Sequence, residues 1–123
     1  MQTTDFVATV FDGHANPSKV TVAFTMAVNA LAKGYSATVI LMNDAVELGR
    51  PNAADDINAG APFRPVKDLW ADFLQQGGQI AVCSACMANN GFTAEQMDSR
   101  YVIVNGPQVV ELLMNTKGSL QIT

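Results

Sequence analysis

Apolar positions along the chain switch repeatedly between two periods. "FVATVF", Phe6 to Phe11, is a short run of β-branched and aromatic residues and predicts a first strand. After the loop "DGHANPSK", Val20, Ala23, Phe24, Ala27, Val28 and Leu31 recur at helical spacing. Asn16 stands where it can cap that helix, Pro17 can take its first position, and Gly34 can end it. "SATVILM", Ser36 to Met42, is a nearly unbroken apolar strand, the kind found where helices cover both faces of a sheet. "NDAVELG" predicts one or two helical turns. Arg50 to Pro65 is a long, proline-rich loop, and loops of that length often serve as lids or binding loops.

Val66, Leu69, Trp70, Phe73 and Leu74 mark a second amphipathic helix, closed by Gly77 and Gly78. "QIAVC", Gln79 to Cys83, reads as the third strand, followed by a short helix from Ser84 to Asn90 that ends at Gly91. "TAEQ", Thr93 to Gln96, is a capping-box pattern opening another short helix. "YVIVN", Tyr101 to Asn105, is the fourth strand. Pro107 then starts a helix with Val110, Leu113 and Met114 on its apolar face; Gly118 stops it, and "SLQIT" is a last short strand.

Strands alternating with helices predict one α/β domain over residues 1–123. The expected architecture is a three-layer αβα sandwich with a mainly parallel sheet of about five strands and right-handed crossovers. In such sheets ligands and chemistry gather beyond the C-terminal strand ends. The loop around His14, the loop after Met42, and Cys83 itself all fall there.

Composition narrows the picture. Hydrophobic residues make up 49% and charged residues 15%, against about 25% charged in an average domain. So few charges predict that the chain hides surface against copies of itself. The net charge is −4 with the basic residues scattered, which gives no footprint for nucleic acid. "MQTTDFVATVF" lacks the charged start and apolar core of a signal peptide, and no apolar run approaches the roughly 20 residues of a membrane span. The expectation is a cytoplasmic protein. Thiols stay reduced there, so a CxxC pair is more readily catalytic, redox-active or metal-binding than structural.

That pair is "CSAC". Cys83 should end the third strand and Cys86 should lie in the first turn of the next helix. Free backbone amides at a helix start favour an anion, and a thiolate is one. Packing is the competing reading, because cysteine is a small apolar residue that suits a sheet interior. A closed zinc site needs four ligands, and two cysteines and one histidine fall short of it. A dithiol oxidoreductase fits the CxxC at a strand-to-helix junction, although the tryptophan and proline that usually flank the thioredoxin motif are absent.

At these residues the chain resembles the DsrE/TusD-like sulfur-relay family (DsrE/DsrF-like, YchN-like). "GGQIAVCSACMANNGF" is similar to the family signature, in which a strand ends in the reactive cysteine and a small-residue helix ends at a glycine; here Cys83 precedes Gly91. "NPSKVTVAFTMAVNALAKGYSATVILMNDAVELG" resembles the family's first helix, second strand and following segment. The resemblance implies a DsrEFH-like variant of the Rossmann/flavodoxin-like architecture. It also implies a sulfur carrier holding a persulfide on Cys83, homo-oligomers such as trimers or hexamers, and sulfur-donor and sulfur-acceptor proteins as partners. No cofactor or metal is implied. Two departures stand out. Many members carry an arginine where this chain has Asn90, which bears on partner choice; and Cys86 is not required by relay members. Cys86 is then an accessory thiol that resolves a persulfide or packs. A persulfide or thiol-disulfide reductase using both cysteines, and a non-catalytic oligomeric binding module, are the alternatives.

His14, the single histidine, is placed to tune Cys83 as histidine–thiolate pairs do, or simply to sit in a loop. Asp12 and Asn43 fall at the same sheet edge, as pocket or turn residues. Met26, Met42, Met87 and Met114 lie on predicted apolar elements and read as core. "FDGHANP" matches neither phosphate-loop pattern, and no nucleophile elbow is present.

Overall fold

The structure, a computed structural model, describes residues 1–123. Its elements in chain order are β1 (Phe6–Val10), α1 (Pro17–Ala32), β2 (Ala37–Leu41), a 3₁₀ segment (Asn43–Gly49), α2 (Val66–Gln75), β3 (Gln79–Cys83), α3 (Ser84–Asn89), a 3₁₀ turn (Ala94–Gln96), β4 (Val102–Val104), α4 (Gly106–Met114) and β5 (Gly118–Ile122). The sheet order is β4-β3-β2-β1-β5. Every strand pair is parallel.

This order and the handedness of crossovers decide which layer each helix joins. From β1 to β4 the chain steps in one direction across the sheet, so right-handed connections place their helices on one face. After β4 it returns to the far side of β1, and the same handedness puts α4 on the opposite face. The packing follows. Val20, Phe24, Leu69, Phe73 and Met87 from the first three helices join a cluster of 23 buried residues on one face. On the other, α4 contributes Val109 and Leu112 to a cluster of 6 with Val7, Ile40, Ala81 and Val104. The central strand β2 is buried along its whole length, which explains its nearly unbroken apolar sequence.

The thick layer is knitted by aromatic rings. Phe24 of α1 stacks on Trp70 of α2 at 4.3 Å and meets Phe73 edge-on at 5.7 Å. Trp70 Nε1–H donates to the Tyr101 hydroxyl at 2.7 Å, satisfying the one polar atom of a side chain that is otherwise core.

Four expectations are corrected. The apolar face of α4 is turned: Val109 and Leu112 are buried, whereas Val110 and Met114 are 59% and 78% exposed. Helix α4 carries two apolar stripes, and the thin cluster it covers takes only one. Asn16 precedes α1 without capping it by its side chain; its amide donates to Asp12 at 3.1 Å instead, leaving Pro17, which has no N–H to satisfy, to open the helix. Gly118 does not stop α4, which ends at Met114, and it pairs with Phe6 as the first residue of β5. Of the methionines read as core, Met87 is buried, but Met26 at 44% and Met114 are exposed.

The two stripes of α4 make opposite predictions. Leu112→Ala should cost about 2–5 kcal/mol. Met114→Ala should stay within about 0.5 kcal/mol of the parent. Urea unfolding checks both, and equal losses at the two positions would place the helix in the wrong rotation.

Candidate functional site

Strands β3 and β4 are neighbours whose following connections diverge, α3 to one face and α4 to the other. The loops beyond the carboxyl ends of parallel strands are where such sheets place their chemistry. Cys83 ends β3 at that place, opposite Val104 of β4, and is the residue that leads into α3. Cys86 falls one turn later, in the first turn of α3. Both cysteines are free; Cys83 is 5% exposed and Cys86 is partly exposed.

The surroundings of Cys86 come from three segments. Burial raises its thiol pKa most, and contact with the Cys83 sulfur, by hydrogen bonding and charge, raises it further. The backbone N–H of Asn43 and its own N–H donate toward the sulfur and only partly offset this. At neutral pH Cys86 is therefore a thiol, with a hydrogen to give. Asn43 follows β2 in the left-handed region at φ 47°, a conformation asparagine tolerates better than most residues. Asn90 closes the arrangement. Its amide donates to the Cys86 carbonyl at 2.9 Å and reaches the Asn43 carbonyl at 3.5 Å, tying the end of α3 to the loop after β2.

His14 is engaged elsewhere. Its Nδ1–H donates to Glu47 Oε1 at 2.6 Å, and its backbone N–H donates to the same oxygen at 2.7 Å. Its Nε2–H donates to the Ala53 carbonyl at 2.7 Å and to Asp56 Oδ1 at 3.1 Å. A carbonyl and an ionised carboxylate can only accept, so this arrangement favours the doubly protonated ring. Partial burial opposes that charge, but the bonds from Glu47 and Ala53 and the charges of Glu47 and Asp56 outweigh it, and the pKa is raised. Glu47 responds in the opposite sense: burial pushes it up, the His14 bonds and charge pull it down, and the net is lowered. Gly13 makes the approach possible, because a Cβ there would collide with the Glu47 carboxylate.

His14 thus braces the β1–α1 loop against the 3₁₀ segment and the turn after Arg50, with no cysteine among its bonded partners. Asp12, also at the C-terminal edge, pairs with Lys19 at 2.9 Å. The sequence offered no sign of Glu47. It is a lone acid 33 positions from its partner, and only the fold brings the two together. Nowhere do three or more His, Cys, Asp or Glu side chains gather as a metal site would require. No helix is long and apolar enough to cross a membrane.

The profile of the DsrE/DsrF-like family matches residues 5–118, and the chain belongs to that family. It is 28% identical over 101 residues to the protein MJ0760 of Methanocaldococcus jannaschii. That match covers 82% of this chain but 36% of the relative, so the chain spans about a third of the relative's length. Among solved structures, the ychN protein from E. coli superposes with a TM-score of 0.74 at 14% identity, covering 98% of this chain and 99% of that one. BT1422 from Bacteroides thetaiotaomicron gives 0.65 at 21%, over 96% and 95%. MTH1491 from Methanobacterium thermoautotrophicum gives 0.66 at 13%, over 94% and 96%. At these identities the three share the fold of this chain.

The His14 brace has a defined pH window. The raised histidine contributes fully below its unfolded value of about 6.5 and is lost as pH rises through the folded value. The lowered Glu47 contributes above about 4.3 and is lost as pH falls through its own folded value. The stability difference between the parent and His14→Gln should therefore be greatest between about pH 4.3 and 6.5. With the ring a third exposed, solvent screening keeps it below about 1 kcal/mol. Denaturant midpoints across pH 4 to 9, on the order of five points, check this; a difference that stays constant into the alkaline range would contradict it.

Proposed function

We propose that this member of the DsrE/DsrF-like family carries sulfane sulfur as a persulfide on Cys83 and passes it to a thiol of a partner protein. Membership supports a sulfur-relay role at the level of the family. The observation that carries the finer reading is the position of Cys83, closing β3 where the connections diverge and standing beside the free amides of the first turn of α3. With only six residues in α3, these local N–H groups matter more than a long helix dipole.

Loading is attack by the Cys83 thiolate on the outer sulfur of a donor persulfide. The Cys83 S–S bond forms, the donor S–S bond breaks, and the donor leaves as its thiolate. Delivery repeats the step: the acceptor thiolate takes the outer sulfur and Cys83 leaves as thiolate. Both steps conserve electrons and depend on thiolate fraction and access. At 5% exposure, Cys83 admits small sulfur donors more readily than bulky ones. Cys86, held as a thiol, donates its hydrogen toward the carrier sulfur. His14 enters this reading as a brace of the surrounding loops rather than as a base at sulfur.

The contact between the two cysteines favours a second reading, a persulfide reductase. The Cys86 thiolate would attack the inner sulfur of the Cys83 persulfide, expel hydrosulfide and leave a disulfide; the sulfane sulfur gains the two electrons the cysteines lose. The raised pKa of Cys86 makes that attack slow at neutral pH, which supports a carrier there. The proposal also places the chain in the cytoplasm, as a homo-oligomer. Its low charge content and the exposed Val110 and Met114 support assembly.

Intact mass after polysulfide treatment tests both readings. The parent and Cys86→Ala should gain sulfur and Cys83→Ala should not. The persulfide lifetime of the parent should shorten as pH rises past the ordinary cysteine range of about 8.5, while that of Cys86→Ala stays flat. Sulfur retained on Cys83→Ala would overturn the assignment, and a parent that forms disulfide promptly at neutral pH would put the reductase in its place.

A further inference from the structure

A concavity lies apart from the cysteines. It has a volume of about 180 Å³ and lies between α2, the turn after Arg50 and the start of β4. Trp70, Leu74 and Tyr101 form its apolar wall, and Arg50, Lys67 and Arg100 also line it. These are three of the seven basic residues in a chain of net charge −4. Their convergence is not visible in the sequence, where they stand far apart.

The cations are held but not spent. Arg50 donates from Nε to the Glu47 carbonyl at 3.0 Å, and its guanidinium lies 5.1 Å from the centre of the Phe92 ring. Both of its terminal nitrogens are without a protein acceptor. Arg100 grips Asp98 through Nε at 3.0 Å and Nη2 at 2.8 Å, with the Tyr101 ring beneath it at 5.7 Å and the guanidinium also acting on the Tyr101 hydroxyl. Lys67 and Arg50 join no ion pair. Asp55 on the rim is the only acid among the lining residues.

The wall adds a phenol hydroxyl. Tyr101 is 9% exposed, and its hydroxyl accepts from Trp70. No protein group accepts from it. Burial raises the phenol pKa, so the O–H hydrogen is present and unspent. A buried hydroxyl of this kind costs stability unless something takes its hydrogen. The rim is also braced in advance: the turn carrying Ala53 and Asp55 is the one His14 holds through the Ala53 carbonyl and Asp56.

We propose that this cavity binds a small organic oxyanion, a compact apolar body bearing a phosphate or carboxylate. The oxyanion meets Lys67 and the free terminal nitrogens of Arg50, lies in the field of the Arg100 guanidinium, and accepts from Tyr101. The apolar body lies against Trp70 and Leu74. The size fits, since a cavity of about 150 Å³ holds a benzene ring. The planar guanidinium groups suit carboxylate and phosphate geometry. The site is independent of the persulfide reading and uses neither cysteine.

Trp70 is the chain's one tryptophan, so its fluorescence reports occupancy directly. Phenyl phosphate and benzoate are the probes for the two oxyanions, benzyl alcohol the neutral control, and inorganic phosphate the charge without a body. Phenyl phosphate or benzoate should saturate the signal with a Kd of about a millimolar or below, as expected for so few atoms. Whichever of the two binds more tightly names the oxyanion. Benzyl alcohol and inorganic phosphate should bind at least about tenfold more weakly, and added salt should weaken binding further. Lys67→Gln, at an exposed position of α2, should weaken binding severalfold, and Tyr101→Phe should do so without loss of charge. Cys83→Ala should bind as the parent does, which separates failure here from failure of the sulfur reading. Saturation-transfer NMR from protein to the probe ring guards against a fluorescence artefact. The proposal is overturned by no saturable change for either oxyanion, by benzyl alcohol binding equally well, or by affinity indifferent to Lys67→Gln.

Discussion

Crossover handedness is the constraint from which most of this molecule follows. A parallel sheet must be connected over its faces, and L-residues make those connections right-handed. The strand order β4-β3-β2-β1-β5 then leaves one choice of layer for each helix. Three helices crowd one face and α4 alone covers the other. The inequality of the two cores, 23 buried residues against 6, is its direct result. So is the position of Cys83, since the divergence of connections falls between β3 and β4 and the strand ending there ends in cysteine.

The crowded face does more than supply burial. Phe24, Trp70, Phe73 and Tyr101 bind α1, α2 and the start of β4 into one aromatic body. The outer edge of that body is the wall of the basic cavity. Arg50 borders both regions, stacked on Phe92 just after α3 while lining the cavity with its neighbours. The His14–Glu47 bond fixes the turn between them. Cysteine pair and cavity are therefore linked through Arg50 and the His14 brace, although their chemistry is separate.

Much of this was legible in the chain. β3 over Gln79 to Cys83 was readable because a short apolar run, set off by Gly77 and Gly78, gives way to the small residues of a helix, and that boundary locates the thiol. Strand β2 announced its central place by being apolar at every position but Thr38. The rotation of α4 was not legible: Val109 with Leu112 and Val110 with Met114 are equally good helical stripes, and only the thin opposite core selects between them. The Asn16 cap failed for a related reason. A capping side chain is chosen by local competition, and Asp12 won it. Glu47, Tyr101 and the convergence of Arg50, Lys67 and Arg100 were invisible because no local pattern encodes partners brought together by tertiary packing.

The burial of Cys83 fits the proposed chemistry better than exposure would. A persulfide is lost to any thiolate that reaches it. A carrier therefore has to keep its nearest thiol unreactive while keeping other thiols away. At 5% exposure Cys83 does the second. The environment of Cys86 does the first: the burial and sulfur contact that raise its pKa keep the hydrogen on it at neutral pH. The same adjacent thiol becomes a threat only once it ionises. A two-cysteine motif is thus compatible with carrying sulfur, provided the second cysteine sits where ionisation is costly, and the raised pKa of Cys86 meets that condition.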